Sequence, residues 1–225
     1  MRSRLLKLVA ENLTIDRGGR RVFQDLSFTV EKGESLVVTG ANGIGKSSLL
    51  RTLAGLVPLA SGTLRLDGGM PDLLLQEQAH YFGHQDAVKP ALSVLENLRF
   101  WQSFTASSEP ESFAGGACEP IEALETLGIG HTAHLPAGYL SAGQKRRLSL
   151  SRLLITPRPI WLMDEPASAL DRASEQQLLA LMNAHLASGG LIVTATHTEL
   201  ALDKLRTLHL KAGDPAALPE EDAVS

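Results

Sequence analysis

The chain opens on an alternation of apolar and polar positions. Leu6, Leu8, Leu13 and Ile15 form one run, broken by the turn-prone Arg17-Gly18-Gly19-Arg20. A second alternating run, Leu26 to Val30, stops at Glu31-Lys32-Gly33-Glu34. Both predict strands with turns between them. Ser35 to Thr39 is short, β-branched and almost continuously apolar, which predicts a strand buried on both faces. After a glycine-rich stretch, Lys46 to Ala54 carries leucines at 49, 50 and 53, a helical spacing that Gly55 can terminate.

The middle of the chain changes period. Ser93 with Glu96 predicts a capping box for a helix through Val94, Leu95, Leu98 and Trp101. Thr105 to Pro120, rich in Ser, Gly, Pro and Glu, predicts an exposed loop. A short helix from Pro120 to about Leu127 follows, then a longer one from about Ser141 that ends before Pro157. The last third returns to buried strands, Ile160–Met163 and Leu191–Thr194, around a helix from Ala173 to Leu186. This order predicts an α/β body interrupted by a helical lobe, with a frayed tail after Gly213.

Composition narrows the function classes. A chain of 225 residues with 44% apolar positions favours one packed domain, or one with an inserted lobe. Lys and Arg total 21 against 25 Asp and Glu, a net charge of −4, so the basic excess that drives nucleic-acid binding is missing. Cys118 is the single cysteine, which excludes an internal disulfide and points to a reducing compartment. Lys7 breaks the apolar stretch of Met1–Ala10, which predicts no secretory leader. No window approaches the roughly 18–20 apolar residues of a membrane span. A membrane role would need another chain to provide the span.

The strongest chemical pattern is Gly40-Ala41-Asn42-Gly43-Ile44-Gly45-Lys46-Ser47, set between a buried strand and a helix. Glycines there let backbone N–H groups close on phosphate oxygens, and the helix that starts at Lys46 adds its positive dipole end. Lys46 suits the β- and γ-phosphates, and the Ser47 hydroxyl suits Mg2+. Asp164 and Glu165 end the apolar run Ile160–Met163. Adjacent residues at a strand end point in different directions, so Asp164 can face a metal through its water shell while Glu165 polarises a water.

Further motifs follow in order. Leu140-Ser141-Ala142-Gly143-Gln144 resembles the LSGGQ signature of ABC-transporter ATPases, with Ala142 in place of a glycine. Ser168-Ala169-Leu170-Asp171 resembles their D-loop, Thr196-His197 their H-loop, and Gln85 stands at the Q-loop place. The resemblance covers nearly the whole chain. It implies an α/β fold: a P-loop NTPase core with an antiparallel β-subdomain and an inserted α-helical subdomain. Residues 1–225 would form one domain, with 1–85 and 157–212 as core and β-subdomain, 86–156 as the helical signature subdomain and 213–225 as a tail.

The resemblance also implies site residues. ATP would be held by Gly40, Ala41, Asn42, Gly43, Ile44, Gly45, Lys46, Ser47 and Ser48. Glu165, His197 and Gln85 would be catalytic, and Ser47, Gln85 and, through water, Asp164 would serve Mg2+. Ser141, Ala142, Gly143 and Gln144 would close over the γ-phosphate of a second copy, and Asp171 would belong to the D-loop. The helical lobe would meet an integral membrane subunit. The family's adenine-stacking aromatic residue is missing; Asp16 and Arg17 take its place, and the flat guanidinium of Arg17 can stack on a base.

Gly83-His84-Gln85, Leu95-Glu96-Asn97-Leu98 and Leu140 to Arg147 together look like the haem-exporter ATPases of bacterial cytochrome c maturation. That implies haem-handling partners and a peripheral position on the cytoplasmic face of the inner membrane. An ATPase of another small transporter is the alternative, and a soluble ABC protein acting on ribosomes or DNA is a more distant one. No C-x-x-C-H motif is present, and Cys118 reads as incidental. His131 and His134 read as a solvated loop, His84 as either a nucleotide contact or a strand end, and Lys145-Arg146-Arg147 as a solvated helix face.

Overall fold

The computed structural model describes residues 6–105, 117–197 and 200–211. Most of the expected loop from Thr105 to Pro120, and the tail after Gly213, lie outside the described residues. Strands β1 (Lys7–Arg17) and β2 (Arg20–Glu31) form an antiparallel hairpin whose register runs from Arg17 opposite Arg20 to Lys7 opposite Glu31. The turn residues Gly18 and Gly19 have φ of 59° and 73°, the left-handed pair a two-residue hairpin needs. Strand β2 begins well before the Leu26 expected from alternation. Register shifts between Ala10 and Leu13, and around Ile15, break the period of two there.

Strand β3 (Ser35–Thr39) and helix α1 (Lys46–Leu53) follow, and β4 (Ser61–Asp67) returns to pair with β1 in a three-stranded antiparallel sheet. The second sheet adds β5 (Ala79–Phe82), β6 (Ile160–Asp164), β7 (Leu191–Ala195) and β8 (Leu205–His209) to β3. Its order is β5-β6-β7-β3-β8 and every pairing is parallel. Between β5 and β6 the chain forms α2 (Val94–Thr105), α3 (Pro120–Thr126) and α4 (Ala142–Ile155); α5 (Arg172–Ala187) joins β6 to β7.

Because successive strand residues face opposite sides, the parallel sheet serves two cores. Leu162 and Val193 join Leu36, Leu49 and Leu50 on the face towards α1 and the antiparallel sheet. Trp161, Met163 and Ile192 join Leu98, Leu124 and Leu148 on the face towards the other helices. The caps expected from sequence are formed. Ser93 Oγ accepts from Glu96 N at 3.2 Å, while Glu96 Oε2 accepts from the Ser93 hydroxyl at 2.7 Å and from Ser93 N at 2.8 Å; the last two bonds, the hydroxyl's first, hold the Glu96 carboxyl below its ordinary range. Buried Asn97 donates to the carbonyls of Lys89, Leu92 and Ser93, fixing the turn that enters α2.

One buried titratable group gives the core a pH dependence. His185 stacks on Trp161 with ring centroids 4.0 Å apart, and burial pushes its pKa down to about 4. The folded chain therefore keeps His185 neutral while the unfolded chain protonates it below about pH 6.5. Stability from this residue is complete above pH 6.5 and is lost as pH falls towards 4. Urea unfolding is expected to show a loss of about 2 kcal/mol from this residue between pH 7 and pH 5. A His185→Gln chain should lack that share; an unchanged pH dependence in this variant would refute the assignment.

Candidate functional site

Strand order brings three chain segments to one edge. The carboxyl ends of β3, β7 and β6 are neighbours, so the glycine-rich loop, Thr196-His197 and Asp164-Glu165 converge where ligands of open α/β sheets bind. The loop, His197, Asp164 and Glu165 line a cavity of about 590 Å3 together with Arg17, His84 and Ser168. Within the loop, Gly45 caps α1 with φ of 112°, and a Cβ there would stand 2.2 Å from Val22 Cγ1. Glycine is thus required at Gly45 both by conformation and by space.

The loop's cation is buried at 8% exposure. Lys46 Nζ donates to the carbonyls of Gly40 and Ala41 at 2.8 and 3.1 Å. Ser47 and Ser48 lie on the first turn of α1, where unpaired N–H groups and the helix dipole favour an anion. Asp164 is 5% exposed and ends β6.

Glu165 sits on a left-handed backbone, φ 47°. Its N–H donates to Ala195 O at 2.8 Å, its Oε2 accepts from Thr196 Oγ1 at 3.3 Å, and its Oε1 lies 3.8 Å from His197 Nε2. A carboxylate and an imidazole are thereby held side by side above the loop, a pairing that can orient and deprotonate a water.

One expected residue stands elsewhere. Gln85 lines a neighbouring cavity of about 510 Å3 with Tyr81, Trp101, Phe104 and Arg152, while His84 faces the first cavity. Ser141 and Ala142 are exposed at the start of α4 and do not line this chain's own cavity. Ser141 Oγ accepts from Gln144 N at 3.2 Å and Gln144 Oε1 accepts from Ser141 N at 2.9 Å, a reciprocal cap. A Cβ on Gly143 would meet Ala169 O at 3.3 Å, so the first turn of α4 packs on the Ser168–Asp171 segment. Asp171 caps α5, accepting from Ser174 N at 2.8 Å, and that bond lowers its pKa.

Arg17 reaches the cavity and donates to Ser48 Oγ at 3.4 Å, whereas Phe23 is 4% exposed in the core. With Arg20, Arg21 and Val22 it also lines an adjoining recess of about 460 Å3 beside the loop. His131 and His134 are exposed, and no metal-binding group of three or more His, Cys, Asp or Glu occurs among the described residues.

The basic run differs from its expected solvated face. Arg146 is buried at 3% exposure, although Lys145 and Arg147 stay partly exposed. Helical spacing marks it: residues 146, 150 and 153 recur at i, i+4 and i+7, and Leu150 and Leu153 are buried as well.

Comparison with known proteins agrees with this geometry. The ABC transporter family matches residues 23–168. A Nitrobacter winogradskyi protein named cytochrome c biogenesis ATP-binding export protein CcmA is 51% identical over 197 residues, 88% of this chain and 94% of its own. A protein of the same name from a Chelativorans species is 48% identical over 212 residues, 93% of this chain and 100% of its own. A solved ATP-binding subunit of an ABC transporter has a TM-score of 0.73 at 22% identity, covering 93% of this chain and 90% of that one. The chain belongs to the ABC transporter family, as an ATP-hydrolysing, ATP-binding member.

Proposed function

We propose that this chain is the ATP-hydrolysing subunit of a membrane complex in cytochrome c biogenesis, energising haem export or release of a haem chaperone. The observation that carries the mechanism is the division of parts. The phosphate loop, Asp164, Glu165 and His197 share one cavity, while the serine-led end of α4 lies outside it with its face exposed. The relatives' names support the biological role.

In this reading Gly40 to Ser48 grip the triphosphate and Lys46 neutralises its β- and γ-oxygens. The donor set fits a hydrated divalent cation. A hydroxyl (Ser47) and a buried carboxylate (Asp164) line one cavity, and Mg2+ takes few protein ligands beside water and phosphate oxygens. Mg2+ would be held by Ser47 and, through water, Asp164, and would supply charge neutralisation at the phosphates. Glu165 polarises the attacking water, and His197 orients it and contacts the γ-phosphate. Gln85 lines the neighbouring cavity next to His84, which lines both, and would report nucleotide occupancy to the membrane partner.

Ser141 and Gly143 of a second copy close over the γ-phosphate, where hydroxyl, backbone donors and helix dipole meet an anion. No helix among the described residues is long and apolar enough to cross a membrane, which suits a peripheral subunit bound to an integral membrane partner. Its place is the cytoplasmic face of the inner membrane. Deleting the gene tests the role. Covalently haem-stained c-type cytochromes are expected to disappear and to return with the intact gene. Normal staining in the deletion strain would point instead to the ATPase of another small transporter.

A further inference from the structure

Arginines are almost never fully buried unless paired, and Arg146 is 3% exposed. Its guanidinium joins three segments. Nη1 donates to Gly83 O at 2.8 Å and to Asp86 Oδ1 at 3.1 Å, on either side of Gln85. Nη2 donates to Glu165 O at 2.6 Å and to Asp164 O at 3.4 Å. The fork also lies 3.9 Å from the Phe82 ring centroid. Arg146 itself belongs to α4, the helix that Ser141 caps.

These contacts meet at a strained point. A left-handed backbone is unfavourable for a residue with a side chain, and Glu165 adopts it at φ 47°. Its amide is fixed by Ala195 O on β7, and its carbonyl by Arg146 on α4. The direction of the Glu165 side chain is therefore set by two clamps from different elements. A buried charge with one carboxylate partner is weak as a stabiliser, because desolvation offsets the attraction. A planar fork that bridges three carbonyls fixes geometry instead, and a lysine ammonium cannot span them.

We propose that Arg146 is a positioning residue for hydrolysis: it locks the Glu165 turn and the turn around Gln85 to the signature helix. A shift of α4, when its serine-led end meets a neighbouring copy's phosphate, then reaches this chain's own Glu165. This inference rests on the reading of Glu165 as the water-polarising carboxylate.

The test compares R146Q, R146K, E165Q and the R146Q/E165Q double variant in the full chain, by release of labelled phosphate and by fluorescent-ATP binding. Arg146→Gln should lower kcat about 10- to 100-fold, the cost of a small misplacement, with nucleotide affinity within about twofold. Arg146→Lys keeps the charge beside Asp86 but not the fork, and should also lose at least about tenfold in kcat; it carries the comparison if the glutamine variant fails to fold.

The decisive arm is the double variant. Positioning Glu165 is without use once the carboxylate is gone, so the double should turn over within about twofold of E165Q alone. A double variant slower than E165Q by the full factor seen for R146Q would overturn the proposal. So would a kcat for both Arg146 variants within twofold of the parent, or equal losses in kcat and affinity. An E165Q chain that hydrolyses at the parental rate would defeat the underlying reading of Glu165 instead.

Discussion

Replacing Glu165 by glutamine is expected to lower steady-state ATP turnover by about 100-fold or more, the scale of a lost general base. Nucleotide affinity should stay within about twofold, because no contact of the phosphate loop is touched. Glutamine keeps the shape and the contact with Thr196, which lies 3.3 Å from Oε2, and removes the basicity. Binding without hydrolysis should accumulate the state in which two copies are joined by ATP. The variant is therefore expected to elute as a dimer on a sizing column with Mg-ATP and as a monomer without it. A variant that stays monomeric with Mg-ATP and still turns over would remove Glu165 from the mechanism.

Lys46→Ala is expected to act earlier, at binding. The ammonium is 8% exposed and is the loop's cation. A charge-assisted hydrogen bond contributes about 1.5–3 kcal/mol, so loss of contacts to two phosphates should weaken ATP binding by about 100-fold or more. Fold stability should change little, since the freed carbonyls belong to Gly40 and Ala41, partly exposed and exposed residues where water can replace the ammonium. Titration with a fluorescent ATP analogue checks the affinity, and thermal unfolding checks the fold. Parental affinity in this variant would contradict the assignment of the loop. The two variants separate the steps: one cannot load, the other cannot discharge.

Much of this was legible in the sequence because it rests on local chemistry. The glycine loop needs one strand, one turn and one helix in succession, and its residues announce all three. The cap at Ser93 and the helix start near Ser141 were readable for the same reason, as each is closed within three residues. The central strands were legible because burial on both faces leaves few polar positions, such as Ser35 and Thr194.

Elements with less burial were not. Strand β8 lies at the sheet's edge and reads as Leu-Arg-Thr-Leu-His with four of its five residues exposed, so no apolar period marks it. Strand β4 is similar, and β2 lost its alternation to bulges. In the site, distant contacts were the blind spot. Nothing next to His84 says that it, and not Gln85, faces the loop, because the choice depends on how the turn after β5 leaves the sheet. Arg146 was hidden by the company of two other basic residues, although its spacing to Leu150 and Leu153 pointed inward.

The two carbonyls that Lys46 engages have a consequence for selectivity among adenine nucleotides. Its ammonium already has neutral acceptors within reach, so a ligand gains from it only by offering something more negative. Adenosine offers nothing there, and AMP ends its charge one phosphate short of the lysine. Both should compete poorly with ATP despite an identical base. A pocket with little aromatic grip on the purine can thus sort its ligands by the length of the phosphate chain.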